Sequence, residues 1–163
     1  MLNIISGNIL ESSEKYIVHQ ANCCSLKSAY LARDIFDKFP HANIYSCREL
    51  GDKIRHDVPG DIIIRGNGND QRYVAALLGQ YYPGKSKYLN DIVDGKNARQ
   101  KYFYRSLLKL SEVDNLESIA FPFGIGCGAA GGNISIYMKI LEAFADYVGN
   151  RKDNAADIFI YKL

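Results

Sequence analysis

Ser118-Ile119-Ala120-Phe121-Pro122-Phe123-Gly124-Ile125-Gly126-Cys127-Gly128-Ala129-Ala130-Gly131-Gly132-Asn133 is the stretch whose reading decides the fold. Its apolar beginning, ending at Pro122, reads as a buried strand. Five glycines follow within the nine positions Gly124 to Gly132, and a helical pattern starts at Ile134. Strand, glycine loop and helix in that order form half of a crossover unit. Bare backbone N–H groups in such a loop come close to an anion, and the helix N-terminus behind it favours negative charge. The first expectation is therefore a phosphate or pyrophosphate site on this loop.

The flanking chain supplies more units of the same kind. Leu2 to Ser6, Tyr16 to Gln20, Asp61 to Arg65, Tyr73 to Gln80, Glu117 to Phe121 and Asp157 to Tyr161 read as strands. Tyr30 to Phe39 has helical spacing and is stopped by Pro40. Ala42 to Leu50 reads as a short helix closed by Gly51, Asn97 to Leu110 and Ile134 to Val148 as longer ones. Gly66 to Asn69 is a hairpin-like turn. Tyr81 to Lys96 is an irregular stretch, and loops of that length in compact domains are usually functional. Interleaved strands and helices predict a single three-layer α/β/α domain over residues 1–163 with a mixed central sheet. Ligands in such sheets sit outside the carboxyl ends of the strands. Gly7-Asn8, His19 to Ser25 and Gly124 to Asn133 all follow strands, and they share one rim if those strands are parallel neighbours.

Composition narrows the classes. The 163 residues are 47% hydrophobic and 23% charged, with a net charge of +2. That balance fits one soluble globular domain and offers no basic face for sequence-independent DNA binding. No apolar run approaches the roughly 20 residues of a membrane span. Cys23, Cys24, Cys47 and Cys127 form neither a C-x-x-C nor a metal-ligand spacing, so no metal is expected. A reducing compartment, cytoplasmic or nuclear, is the corresponding expectation.

Several constellations compete for function. Gly126-x-Gly128-x-x-Gly131 matches the dinucleotide fingerprint literally, but only one helix and one strand follow it, where a nucleotide-binding half needs more. No GK[ST] follows the loop, which excludes a P-loop. His19 ends a strand on the expected rim. It is either a structural histidine or a base acting on water. Asn22 can bond sugar hydroxyls through both ends of its amide. Cys23 and Cys24 read as structural thiols, and Cys127 as a small side chain filling a tight turn. Asp91 and Asp94 are either solvated loop carboxylates or water-activating groups carried on a folding loop. Lys85, Lys87 and Lys96 give that loop positive charge.

At this point three segments resemble macro domains, and more narrowly the ADP-ribose 1″-phosphate phosphatase-like branch. They are Ile4-Ile5-Ser6-Gly7-Asn8-Ile9-Leu10, Ile17-Val18-His19-Gln20-Ala21-Asn22-Cys23, and Pro122 through Asn133. The resemblance implies ADP-ribose or ADP-ribose 1″-phosphate as ligand, with no cofactor. It implies an ADP-ribosylated macromolecule as a further partner, a monomer, and no membrane. It places Asn8 at the adenine amino group with Ile9 beside it, and Ala21 and Asn22 at the distal ribose. The diphosphate would lie on Gly124, Ile125, Gly126, Cys127, Gly128, Ala129 and Gly131. His19 matches a histidine tied to activity. Two departures stand out. The loop from Cys24 to Tyr30 has no glycine, whereas the family's is glycine-rich. Asn133 stands where the branch has an aspartate implicated in hydrolysis, and an amide takes no proton. Two readings follow: a hydrolase of an ADP-ribose derivative using His19, Asp91 or Asp94, or an ADP-ribose reader with little turnover.

Overall fold

The computed structural model describes residues 2–48, 57–87 and 91–163. Six strands form one sheet: β1 (Leu2–Ser6), β2 (Tyr16–Asn22), β3 (Ile62–Arg65), β4 (Tyr73–Gln80), β5 (Glu117–Pro122) and β6 (Ala156–Lys162). The helices are α1 (Tyr30–Lys38), α2 (Lys96–Ser111) and α3 (Ile134–Gly149). Sheet order is β1-β6-β5-β2-β4-β3. All pairs are parallel except β3 with β4, so the sheet is mixed, as expected.

The two-residue period of the strands sorts the core into two halves. Tyr16 and Val18 of β2, Ala75 and Leu77 of β4, and Ile119 and Phe121 of β5 cluster with Phe103 and Leu107 of α2 and Tyr137 and Leu141 of α3. Ile17 and Ala21, Val74 and Ala76, and Ala120 point the other way, onto Ile35 and Phe36 of α1. Burial on both faces is why β4 reads as a continuous apolar run rather than an alternating one. Each fully buried side chain such as Phe103, Phe121 or Leu141 contributes about 1.5–3 kcal/mol relative to exposure.

One expected helix is absent from the described residues. Where Ala42 to Leu50 was expected to be helical, there are two separate 3-10 turns, Pro40–Ala42 and Ser46–Arg48. The side chain of Asn43 accepts from the N–H groups of Tyr45 at 3.0 Å and Ser46 at 3.2 Å. That Asx turn competes with the helical hydrogen bonds. The remainder of that expectation, Glu49 to Gly51, lies outside the described residues. Among the described residues no helix is long and apolar enough to cross a membrane, and no cluster of metal-ligating side chains occurs.

What positions a site is the path of the chain at the centre of the sheet. β2 and β5 are parallel neighbours. The chain leaves β2 toward α1 on one face and leaves β5 toward α3 on the other. Their carboxyl ends therefore part and open a crevice, as at the switch points of doubly wound sheets.

Candidate ligand cleft

A cleft of about 600 Å³ fills that crevice, a size suited to a small organic ligand. Its floor is the end of β2, from His19 to Asn22. One wall is the loop into α1. The other is the glycine loop after β5, with Gly124, Ile125, Gly126, Gly128 and Ala129 lining it. Pro83 to Lys85 close one end.

Asn22 sits just past a register shift in β2. Its Oδ1 accepts from the N–H groups of Cys24 at 3.0 Å and Ser25 at 2.7 Å. Its own N–H donates to the Tyr45 hydroxyl at 3.1 Å. The Asn22 carbonyl accepts from Arg48 at 2.8 Å, and so does the Ser25 carbonyl. Arg48 is itself held by Asp57 and lies 4.7 Å from the Tyr45 ring centre. The first loop thus turns without glycine because an Asx turn and a buried arginine fix its carbonyls. The expectation that Asn22 uses both ends of its amide is corrected. The oxygen holds the loop, and Nδ2 is the donor left for a ligand.

His19 is 1% exposed and lines the floor. It stands edge-on to Phe36 at 5.4 Å, with Nδ1 3.3 Å from the Gln20 carbonyl. With Nδ1–H donating there, Nε2 is an acceptor, and it has no partner. Burial pushes its pKa down to about 4, so the ring is neutral at pH 7. A base that weak gains little in proton abstraction, and a hydrogen-bond acceptor is the role its geometry suits.

The glycine loop is bonded mainly to itself: Cys127 N–H to Gly124 O at 2.9 Å, Gly131 to Gly128 at 3.1 Å, and Gly132 to Gly126 at 3.0 Å. Among the described residues the N–H groups of Gly126, Gly128, Ala129 and Ala130 have no acceptor, which leaves them free for an anion. Gly126 is obligatory. It has φ +77, and a Cβ there would lie 2.5 Å from the Tyr137 ring and 2.8 Å from Gln20 Oε1. Gly126→Ala is expected to cost about 2 kcal/mol or more, read as a fall in urea midpoint. An unchanged midpoint would show that the loop tolerates the side chain.

Beneath the loop runs a polar tie that sequence reasoning missed. Gln20 donates to Gln80 Oε1 at 2.7 Å, and Gln80 donates to Tyr82 O at 2.8 Å. Arg99, 3% exposed, donates to Gly84 O at 2.7 Å, Ala130 O at 3.2 Å and Tyr82 O at 3.2 Å. It also pairs with Asp94 at 2.6 Å. Asp94 accepts in addition from the N–H groups of Tyr81 at 2.7 Å and Tyr82 at 3.1 Å. One buried arginine therefore fastens the loop after β4 to the glycine loop. No local pattern marks it, since its partners lie 5 to 31 positions away. Its position on α2 was read only as part of a helix.

Several expected site residues lie elsewhere. Asp94 is no free carboxylate: it is buried with both oxygens bonded. Asp91 is exposed, with its side chain accepting from Val93 N–H at 2.9 Å. Neither lines the cleft. Asn8 caps the turn after β1 by accepting from Leu10 N–H at 3.0 Å, and Ile9 is buried in the α1-side core. β1 is parallel but separated from β5 by β6, so the rim is not made of direct neighbours, and both residues miss the described lining. Cys127 lies behind the loop, its thiol donating to Ile125 O at 3.5 Å and pushed by burial up to about 11. Cys23 is pushed up to about 12, mainly by burial, in line with a structural thiol. Gly131 and Asn133 face a separate hollow of about 400 Å³ between α2 and α3. There Asn133 caps α3 by accepting from Ile136 N–H at 3.2 Å. Lys85, read as loop charge, lines the cleft, and its Cγ would lie 2.8 Å from a Cβ at Gly131.

No family profile matches the chain, and no curated protein sequence matches it. Its solved structural neighbours are macrodomains. The macrodomain of Mycobacterium tuberculosis DarG superposes with a TM-score of 0.73 at 17% identity, covering 100% of this chain and 98% of that one. The macrodomain of Thermus aquaticus DarG gives 0.68 at 19%, covering 100% and 99%. A point variant of the Oceanobacillus iheyensis macrodomain with ADPR gives 0.67 at 19%, covering 98% and 84%. Superposition over the full length of the chain agrees, and this chain has the macrodomain fold.

Proposed function

We propose that the cleft binds ADP-ribose and that the protein acts chiefly as an ADP-ribose reader. The diphosphate lies on the free N–H groups from Gly126 to Ala130, between the charges of Lys27 and Lys85. The Asn22 Nδ2 group donates to a hydroxyl of the distal ribose. The first turn of α1, whose cap Ala29 offers no side-chain hydrogen bond, adds further donors on the opposite wall. Binding of ADPR by the Oceanobacillus protein supports the choice of ligand. The observation that carries the reader over the hydrolase is the lining itself, which among the described residues contains no carboxylate.

One observation favours turnover as a second reading. His19 Nε2 is an unpartnered acceptor in the cleft floor, where it would orient a water against an ADP-ribosyl bond or a 1″-phosphate. Two measurements separate the readings. ADP-ribose at about 100 times its Kd is expected to stabilise the protein by ~2.7 kcal/mol, a rise in Tm of about 5–10 °C for a chain of this size. NAD is expected to raise it less, and a larger shift with NAD would sink the assignment. Incubation with ADP-ribose 1″-phosphate and with an ADP-ribosylated acceptor is expected to give little product. Product that disappears in His19→Ala would establish the hydrolase instead.

A further inference from the structure

Tyr30 combines a costly backbone with an unused side chain. Its φ is +55, the left-handed region that favours glycine. Its side chain is 72% exposed, so packing does not explain why a ring stands there. It lines the cleft at the first turn of α1, on the wall opposite the glycine loop. Strain at such a place points toward ligand handling rather than folding.

The other aromatic side chains of the lining are already engaged. Tyr45 is 3% exposed, its hydroxyl accepts from Asn22 N–H, and Arg48 lies against its ring. Phe123 packs on the α2–α3 core cluster and carries the Lys162 ammonium 4.6 Å from its ring centre. Among the described lining residues, Tyr30 is the most exposed aromatic ring. Lys27 lines the same wall, and Arg33 follows one turn later on the same side of α1, with Asp34 exposed beside it. An exposed ring next to cations suits a base that carries phosphate.

We infer that Tyr30 is a stacking platform for a nucleobase and so helps set which ligand the cleft holds. The inference rests on the ADP-ribose reading. The base is either the adenine of ADP-ribose itself or a base joined to its distal ribose. Both present the same π-face, and the choice of ligands tells them apart.

The test uses Tyr30→Phe, Tyr30→Ala and Tyr30→Gly in the full chain. Kd is measured for ADP, ADP-ribose, ribose 5-phosphate and an ADP-ribosylated mononucleotide, and Tm without ligand. Phe is expected to bind like wild type. Ala and Gly are expected to bind about tenfold more weakly, from the loss of one stacked base. A loss on ADP and ADP-ribose assigns the adenine. A loss confined to the ADP-ribosylated mononucleotide assigns the second base. Ribose 5-phosphate is expected to be unaffected by either variant. Only Gly is expected to raise Tm, by about 2 °C, because it alone relieves the backbone. Equal binding of every ligand by wild type and the Gly variant overturns the platform. So does an equal loss on ribose 5-phosphate, or a fall in Tm for Gly, either of which makes the ring structural. Failure of the wild type to bind any of the four is a different outcome, which removes the ADP-ribose reading and this inference with it.

Discussion

Arg99→Met is expected to destabilise the protein by about 3–5 kcal/mol, the scale for removing one partner of a buried ion pair. Three losses add. Asp94 keeps its charge at 4% exposure without the guanidinium opposite it. The carbonyl of Ala130 loses its donor, and those of Gly84 and Tyr82 each lose one of two, keeping Gln80. The loop after β4 and the glycine loop are then no longer held to one another. Methionine fills much of the arginine stem's volume, so packing loss is the smaller part. The measurement is urea unfolding, with ADP-ribose binding followed well below the new midpoint. Asp94→Asn in the same chain is expected to recover part of the loss. It removes the stranded charge while leaving an amide oxygen for one of the Tyr81 and Tyr82 N–H groups. A loss under about 1 kcal/mol for Arg99→Met would mean the pair behaves like a surface ion pair and does not fasten the loops. Recovery by Asp94→Asn without recovery of binding would separate the two roles: the charge governs stability, the carbonyl contacts govern the shape of the cleft.

The contrast between Arg99 and Gly126 shows what was legible in the sequence. Gly126 was readable because its constraint is local: a strand end, a positive φ and a helix start within a few residues. The strands β2 and β4 were readable because burial on both faces leaves an uninterrupted apolar run. Pro40 ended α1 for a backbone reason that needs no partner. Asp94 was misjudged because a carboxylate in a loop looks solvated until Arg99, five positions on in the first turn of α2, pairs with it. Asn22 lines the cleft, and the direction of its amide depends on Cys24, Ser25 and the turn they make. Asn8 is put at the ligand by resemblance; in the structure it follows β1, beyond β6 from β5, and lies outside the described lining. The Ala42 to Leu50 helix failed on a side-chain hydrogen bond of Asn43 that outcompetes helical pairing. The glycine-free first loop became intelligible only through Arg48, more than twenty positions away from Asn22. Local backbone chemistry was readable, and long-range polar pairing was not, because polar residues are chosen by partners that pattern does not locate.

The second large effect is acid sensitivity set by His19. An unfolded imidazole takes its proton near pH 6.5, whereas in the fold burial lowers the value to about 4. Between those two values the unfolded chain binds more protons than the native one, so stability falls as pH falls. Above about pH 6.5 both forms are neutral and nothing is lost. By pH 4 the loss approaches ~3 kcal/mol, a large share of a typical domain's stability. The groups in contact with the ring, the Phe36 side chain and the Gln20 backbone carbonyl, carry no formal charge to stabilise an imidazolium. His19→Phe keeps a ring of similar size against Phe36 and removes both the titration and the orphaned Nε2. At pH 7.5 the variant is expected to be about as stable as wild type, since loss of the long 3.3 Å Nδ1 bond to the Gln20 carbonyl is offset by removal of a buried unpaired acceptor. The two stability curves should then separate as pH drops from 6.5 to 4, with the wild type falling faster. Taking the difference between them cancels the carboxylates common to both chains. If the curves run parallel through that window, the imidazole is reached by water or a counter-charge in the native cleft. It would then titrate near its ordinary value and be available as the base that a hydrolase needs. The same pair of curves therefore bears on function: a large separation fixes His19 as a neutral acceptor in the floor of a binding cleft.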